Sequence, residues 1–189
     1  MISPQKQDLR VARTKEAIRS AFKALVCELP YEKVTVKAIA DRANINRNTF
    51  YLHYETTDDV LREIQAEHSA EYIERVKNLT YTENLGELVR EFFEYNEAQD
   101  EFFRRVTCDC RFDYIREGMQ KKVSEHTHKK STKLHGKDVY IQNIVRAYTM
   151  TILALYRQWV ADGRKIPEQE MIGLATTLLE KGMSGLKKL

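Results

Sequence analysis

The chain has 189 residues, of which 42% are hydrophobic and 31% are charged, a composition typical of a folded globular protein. It has no apolar run of the roughly 18 residues that a membrane span requires, and its first residues are polar, which predicts a cytoplasmic protein. The three cysteines, Cys27, Cys108 and Cys110, are too few for a disulfide framework and fit a reducing compartment.

The net charge of +3 is unevenly distributed along the sequence. Residues 1–54 carry ten Lys or Arg against five acidic residues, whereas residues 55–189 carry 21 basic and 23 acidic residues. Positive charge concentrated at one end favours the docking of a polyanion. A solvated basic face explains the same asymmetry, so charge alone does not decide between the two interpretations.

The first predicted helix covers residues 14–28 and follows a loose basic arm. Thr14 is its expected N-cap, and Pro30 lies just beyond its end. Apolar residues recur at helical spacing and define one buried face: Ile18, Ala21, Phe22, Leu25 and Val26.

Two short helices, over residues 35–43 and 47–53, follow with a three-residue turn between them. Thr35 is the expected N-cap of the first, and its inward residues are Val36, Ile39, Ala40 and Ala43. Asn44 can adopt the left-handed backbone conformation that the turn needs. These are the dimensions of a helix-turn-helix, although helical hairpins of other kinds share them.

The second of these short helices is the candidate for reading DNA. With Asn46 as its N-cap, Ile45 and Phe50 stand at the two positions of a hydrophobic staple, and Phe50 and Tyr54 point to the core. The first turn then presents Arg47, Asn48 and Thr49, residue types that pair with guanine, adenine and the thymine methyl. The next turn offers Tyr51 and His53, which suit contacts to phosphate.

Further amphipathic helices are predicted along the rest of the chain. One begins at Thr57, which we expect to cap it, and continues to about residue 79. Gly163 is expected to end the long helix, and Pro167 to begin the last one. The other predicted segments are helices over residues 84–98, 100–107, 112–123 and 138–162, and a polar loop over residues 124–137.

The central motif resembles a known family. Residues 39–54, Ile-Ala-x-x-Ala-x-Ile-x-x-x-x-Phe-Tyr-x-His-Tyr, followed by an acidic helix start, are similar to the amino-terminal domain of TetR-type transcriptional regulators. The resemblance covers residues 10–62. It implies an all-α fold with a three-helix DNA-binding domain over residues 1–56, followed by a helical effector-binding and dimerisation domain over residues 57–189.

The resemblance also implies a function and a set of DNA contacts. Family members usually bind a palindromic operator as homodimers, repress transcription, and leave DNA when a small molecule binds. Two positions depart from the family pattern, because Asn44 replaces a usual Gly and Thr57 replaces a Lys that often meets phosphate. The contacts implied by position are Thr35, Lys37, Asn46, Arg47, Asn48, Thr49, Tyr51 and His53.

The carboxy-terminal half of the sequence gives weaker indications of dimerisation and ligand binding. Residues 155–159 resemble a region of regulators from Gram-positive bacteria, and the last two helices have apolar faces that suit either a dimer interface or an internal core. Aromatic residues in this half fit a small-molecule pocket or, equally, a packed core. The candidate ligand-binding residues are Phe92, Phe103, Tyr114 and Tyr148.

Metal and redox sites are not favoured by the sequence. His126, His128 and His135 lie among lysines without convincing partner ligands, so we predict a solvated loop and no metal or cofactor. Cys108 and Cys110 are awkwardly spaced for a disulfide, and burial of all three cysteines is the preferred interpretation.

Two other functional classes remain for comparison. An enzyme is disfavoured, because the sequence lacks a phosphate-binding glycine loop, a nucleophile elbow and ligand-like spacings. The alternative to a DNA-binding regulator is an adaptor that uses the helix-turn-helix to bind another protein.

Overall fold

A computed structural model of the chain describes residues 4–81, 83–114 and 138–186. Over these residues the regular structure is helical, which confirms the all-α prediction. No helix in the described ranges combines the length and hydrophobicity needed to cross a bilayer. The helices are α1 Pro4–Glu28, α2 Val36–Arg42, α3 Arg47–Tyr51, α4 Thr57–Val76, α5 Leu85–Glu97, α6 Glu101–Cys108, α7 Asp138–Ala161 and α8 Glu168–Leu186.

The chain divides into two compact units, one ending at Glu67 and the other beginning at His68. This division falls inside α4. The predicted boundary between a DNA-binding and an effector-binding domain, after residue 56, is a functional division and stays a prediction.

Helix α1 is longer than the sequence pattern indicated. It begins at Pro4, so the predicted loose arm and the Thr14 cap are wrong. Instead of capping, the Thr14 hydroxyl donates to the Arg10 carbonyl 2.9 Å away, one turn earlier. Proline suits the first position of a helix, and residues 5–13 include several strong helix formers, so the helix extends well before its buried face.

The core of the first unit is built by the predicted inner faces of α1, α2 and α3 together with the first part of α4. Helix α1 packs on α2, and α2 packs on α3. Tyr31, from a short 3₁₀ turn, stands edge-on to Phe22 with ring centroids 6.4 Å apart. The most deeply buried residues of this core are Ile18, Phe22, Val26, Ile39, Ala40, Phe50, Val60, Leu61 and Ile64.

The beginning of α4 corrects a second predicted cap. The Thr56 hydroxyl accepts the Asp59 N–H at 3.2 Å, and the Asp59 carboxylate accepts the Thr56 N–H at 2.8 Å. This reciprocal pair makes Thr56 the N-cap, not Thr57. The hydrogen bonds from Thr56 hold the pKa of Asp59 below its ordinary value. Helix α4 ends at Val76, three residues before the predicted end at 79.

The second unit has its own apolar core, in which α5 packs on α7 and α8. Phe93, Tyr156 and Trp159 lie at its centre, with the Phe93 and Tyr156 rings edge-on at 5.3 Å. The Tyr156 hydroxyl donates to Glu97 at 2.8 Å, and Arg164 donates to the same carboxylate at 2.9 Å. Burial would raise the pKa of Glu97, but these hydrogen bonds outweigh it and hold the pKa below its usual value.

The turn between α7 and α8 follows the predicted chemistry. Gly163 has a φ of +75°, in the left-handed region that favours glycine, and α7 ends just before it at Ala161. Pro167 immediately precedes α8, and its carbonyl accepts the Met171 N–H at 2.9 Å. The Trp159 indole N–H donates to the Ile166 carbonyl at 2.7 Å, which ties the turn to the core.

Two remaining predictions have different outcomes. Cys27 and Cys108 are half-buried, but Cys110 is exposed at the start of a 3₁₀ turn, Cys110–Phe112, so its predicted burial is wrong. The predicted helix over 112–123 lies mostly outside the described residues, as do the polar loop over 124–137 and its three histidines.

Candidate nucleic-acid interface

The turn between α2 and α3 has the tight geometry of a helix-turn-helix. Asn44 has a φ of +53°, as predicted for a residue standing where glycine is easier to accommodate. Its N–H donates to the Asp41 carbonyl at 3.3 Å, and the Ile45 N–H donates to the Ala40 carbonyl at 3.0 Å. These bonds satisfy carbonyls at the end of α2 and turn the chain directly into α3.

Two of the predicted contact residues have a structural role as N-caps. Thr35 accepts the Ala38 N–H at 3.2 Å at the start of α2. The Asn46 amide oxygen accepts both the Thr49 N–H at 2.7 Å and the Thr49 hydroxyl at 3.0 Å. Both caps have the extended backbone that a cap residue adopts. The side chains of Thr35 and Asn46 therefore fix the residues at which α2 and α3 begin.

The inner face of α3 is held by a network around Tyr54. Phe50 and Tyr54 are buried as predicted, with their ring centroids 5.8 Å apart. The Tyr54 hydroxyl donates to Glu63 at 3.0 Å, and Lys15 forms an ion pair with the same carboxylate at 2.7 Å. Burial, together with Glu63, raises the pKa of Tyr54, so its hydroxyl stays a donor at neutral pH. Helix α3 is therefore anchored to both α1 and α4.

The outer face of α3 carries most of the predicted base-reading and phosphate-contacting residues. Arg47, Asn48 and Tyr51 are exposed, whereas His53 is half-buried. Thr49 departs from the expected full exposure, because it is half-buried and its hydroxyl is bonded to Asn46. The first turn of α3 thus presents Arg47 and Asn48 more freely than Thr49.

Some of the basic residues of the first unit are neutralised within it. Arg42 forms a two-pronged ion pair with Glu28 at 2.5 Å, and this bond lowers the pKa of Glu28. Arg19 pairs with Glu67, and its hydrogen bond lowers the pKa of that carboxyl.

Lys37 and Arg47 differ from these paired cations. Both side chains are exposed, and neither makes an ion pair within the described part of the chain. Lys37 and Arg47 are therefore positive charges that an external polyanion can meet without first breaking an internal pair.

One exposed residue of this surface was missed by the sequence reasoning. Leu52, the C-cap of α3, is 81% exposed. Leu52 lies midway between the predicted inner residues Phe50 and Tyr54, and four residues after Asn48. A helical projection therefore places it on the exposed side of the helix, and this signal in the sequence could have found it.

The candidate ligand-binding residues of the second unit fall in different surroundings. Phe92 and Phe103 stand at two ends of a row of aromatic rings that runs Phe92, Tyr72, Tyr95, His68 and Phe103. Tyr148 is half-buried against the apolar core, and Tyr114 is exposed. Burial raises the pKa of both Tyr72 and Tyr148. The structure therefore links Phe92 and Phe103 through intervening rings, and Tyr114 lies at the surface.

Comparison with known proteins agrees with this architecture. Residues 18–64 match the family model for bacterial regulatory proteins of the TetR family. A stretch of 70 residues is 36% identical to an uncharacterized HTH-type transcriptional regulator, YxbF, of Bacillus subtilis strain 168. That match covers 36% of this chain and 18% of the relative, so the chain spans less than a fifth of the protein it resembles there.

Two solved structures share the fold over most of the chain. A TetR transcriptional regulator from Streptococcus agalactiae 2603V has a TM-score of 0.68 and 20% identity, covering 94% of this chain and 99% of the other. The regulator FadR from Bacillus subtilis, in complex with stearoyl-CoA, has a TM-score of 0.64 and 18% identity, covering 87% and 96%. The amino-terminal region therefore matches the TetR-family domain over residues 18–64, and the fold of the chain is similar to that of TetR-type transcriptional regulators.

Proposed function

We propose that the chain is a sequence-specific DNA-binding regulator that inserts α3 into the major groove of its operator. The observation that carries the proposal is that α3 has one side buried in the core and other residues exposed to solvent. Phe50 and Tyr54 are buried in the core, while Arg47 and Asn48 are exposed on the first turn, and Arg47 has no ion-pair partner among the described residues. A short helix anchored in this way can present its side chains to base edges.

The individual roles follow from side-chain chemistry. Arg47 suits the paired acceptors of guanine, and Asn48 suits the donor and acceptor edge of adenine. Lys37, Tyr51 and His53 are assigned to phosphate, where they add affinity without sequence choice. Thr35 and Asn46 act mainly by fixing helix entrances, and Thr49 retains a methyl group for a thymine contact.

We propose further that the protein binds DNA as a homodimer formed by the second unit. On α8, Leu174 and Leu178 are 52% and 57% exposed, one turn apart, while Ile172, Ala175 and Leu179 of the same helix are buried. On α7, Met150 is also exposed. Water contact with such a face is unfavourable, and a symmetric partner that covers it would also place two α3 helices on one operator. A palindromic operator is the expected consequence of this arrangement, and repression of transcription by the bound dimer is proposed with it.

A small apolar effector is the proposed regulator of DNA affinity. The structural relative FadR was solved with stearoyl-CoA, and the aromatic row between Phe92 and Phe103 consists of the kind of side chains that line pockets for apolar ligands. An effector that binds two dimer conformations unequally would shift the DNA-binding equilibrium. Stearoyl-CoA is therefore the first probe for release of the selected operator.

The experiment that tests DNA recognition is selection of binding sites from random duplexes by the purified chain. A palindromic sequence with two half-sites is expected, and its affinity should fall steeply as salt rises, because bound phosphates release counterions. Recovery of random sequences with no enrichment would contradict the proposal. The adaptor alternative predicts no enrichment of any sequence, together with a duplex affinity that depends only weakly on salt.

A further inference from the structure

Leu52 has an apolar side chain that is largely in contact with water, which is unfavourable. It is 81% exposed, more than any other large apolar residue in the described part of the chain, and Tyr51 beside it is also exposed. A single exposed leucine is common on protein surfaces and carries little weight by itself. Its direction relative to α3 is what gives it meaning.

The backbone remains helical through Leu52, which fixes where its side chain points. The Leu52 N–H donates to the Asn48 carbonyl at 3.1 Å, and the Tyr54 N–H donates to the Phe50 carbonyl at 3.1 Å. Leu52 itself has helical backbone angles, φ −72° and ψ −16°. At about 100° per residue, Leu52 then projects about 180° away from the mean direction of Phe50 and Tyr54. Leu52, the C-cap of α3, therefore points away from the core of the first unit.

Asn48 lies one turn before Leu52 on nearly the same side of the helix. The leading edge of α3 therefore combines an amide, which can pair with a base edge, and an isobutyl group, which can pair with nothing polar. When a helix with this edge enters a major groove, Leu52 meets the groove floor or wall before the flanking residues do. The apolar group that bases present in that groove is the C5-methyl of thymine.

We propose that Leu52 is a specificity-determining residue that selects a thymine in each half-site by contact with its C5-methyl group. The inference rests on the proposed DNA-binding function. It assigns sequence choice to a residue that makes no hydrogen bond to a base and adds no charge. Its contribution is therefore separable from those of Arg47 and Lys37 by both base chemistry and salt.

The test uses the operator recovered with the parent chain and replaces its thymines one at a time by deoxyuridine, which removes only the methyl group. The parent chain should lose about three- to fivefold in affinity at the thymine that Leu52 contacts in each half-site, which is distinct from any thymine contacted by Thr49. Leu52→Ala should bind the unsubstituted operator more weakly by a similar factor and become insensitive to deoxyuridine at that position. Leu52→Met, which keeps an apolar side chain, should recover the sensitivity.

Three controls separate the possible results. Ile166→Ala removes an exposed apolar side chain from the second unit and should leave operator affinity unchanged. The salt dependence of binding by Leu52→Ala should equal that of the parent, because no phosphate contact is lost. Thermal unfolding of Leu52→Ala should also match the parent, since the side chain is exposed.

The inference is overturned when Leu52→Ala binds the operator like the parent, or when it keeps the same response to every deoxyuridine. A uniform loss of affinity for operator and random duplex alike also overturns it, because that result assigns Leu52 a role without sequence choice. Failure of the parent chain to enrich any duplex is a different result, which overturns the proposed DNA-binding function itself.

Discussion

The two compact units expose apolar side chains in different ways. On α3 of the first unit, Leu52 is exposed among residues suited to nucleic acid, including Arg47 and Asn48. On α8 of the second unit, Leu174 and Leu178 are exposed one turn apart, and Gly173 beside them faces open space. The first surface has one exposed leucine beside Tyr51 and polar residues, whereas the second has two exposed leucines one turn apart, here called the α8 stripe.

This difference indicates the kind of partner that each surface suits. A polar helix with one apolar point matches a DNA groove, whose surface is charged and hydrogen-bonding except at thymine methyls. An apolar stripe flanked by small residues matches another apolar helix, as in the cores of oligomer interfaces. The two surfaces therefore have different proposed roles, reading of DNA and self-association, and the following changes test these roles and the stability of the two units.

The largest expected effect comes from placing charge on the α8 stripe. Leu174→Glu combined with Leu178→Glu should convert the dimer to monomers, because four carboxylates would meet across the proposed interface. Operator affinity should fall by about 100-fold or more, since the two half-sites are then bound independently. Analytical ultracentrifugation and operator titration measure the two effects. Ile166→Glu, at another exposed apolar residue of this unit, should change neither.

A smaller effect is expected when Lys37 loses its charge. Lys37→Ala should weaken binding to all duplexes alike and reduce the salt slope by about 0.9 for each protomer. Titrations of operator and random duplex at several salt concentrations provide the measurement. Lys165→Ala removes an exposed lysine of the second unit and should leave the slope unchanged. An unaltered slope for Lys37→Ala would remove Lys37 from the proposed interface.

The next prediction concerns the N-cap of α3, Asn46. Asn46→Ala removes the acceptor of the Thr49 N–H and hydroxyl, so the free energy of unfolding should fall by about 1 kcal/mol. Asn46→Asp retains the acceptor and should keep most of that stability. Chemical denaturation followed by circular dichroism distinguishes the two variants. Equal stability of the parent and Asn46→Ala would show that the cap contributes little.

A comparable effect, which depends on pH, is expected at Glu97 and concerns the second unit alone. Its pKa lies below the ordinary value of 4.5, so its contribution to stability is present above that value and is lost as the pH falls through the lowered pKa. Glu97→Gln should be less stable than the parent by about 1 kcal/mol at neutral pH. The difference should shrink in acid, and Glu87→Gln, at an exposed position, serves as the control. A difference that does not change with pH would contradict the assignment.

The parts of the fold that depend on local chemistry were predictable from the sequence. Asn44 in the left-handed region, Thr35 and Asn46 as N-caps, and Gly163 after α7 each follow from a residue type at a fixed place in a short pattern. The buried faces of α1 and α3 follow from helical periodicity in the same way. These features involve neighbours within a few residues along the chain.

The wrong predictions have two physical origins. A threonine can cap a helix or donate to the carbonyl one turn earlier, and the choice at Thr14 depends on where the helix begins. At the start of α4, two adjacent threonines compete, and the position of Asp59 three residues after Thr56 decides the cap. This second signal, an aspartate three residues after a threonine, is visible in the sequence itself.

The details of the candidate site depended on tertiary structure. The sequence does not show that Glu28 neutralises Arg42, because that ion pair joins separate helices. The exposure of Arg47 was predicted, but the sequence does not show that Lys37 and Arg47 have no ion-pair partner within the described residues. The row of rings between Phe92 and Phe103 likewise joins α4, α5 and α6. Such arrangements follow from packing of the whole unit and have no signature in local spacing.

The most direct test of the account compares the sequences selected from random duplexes by the parent chain and by Arg47→Ala. The parent chain should select a palindrome. Arg47→Ala should select the same palindrome but lose the preference for one base pair in each half-site. Specific affinity should fall by about 1–3 kcal/mol at that position. Selection of an identical, equally tight palindrome by both proteins would contradict the claim that the outer face of α3 reads the operator.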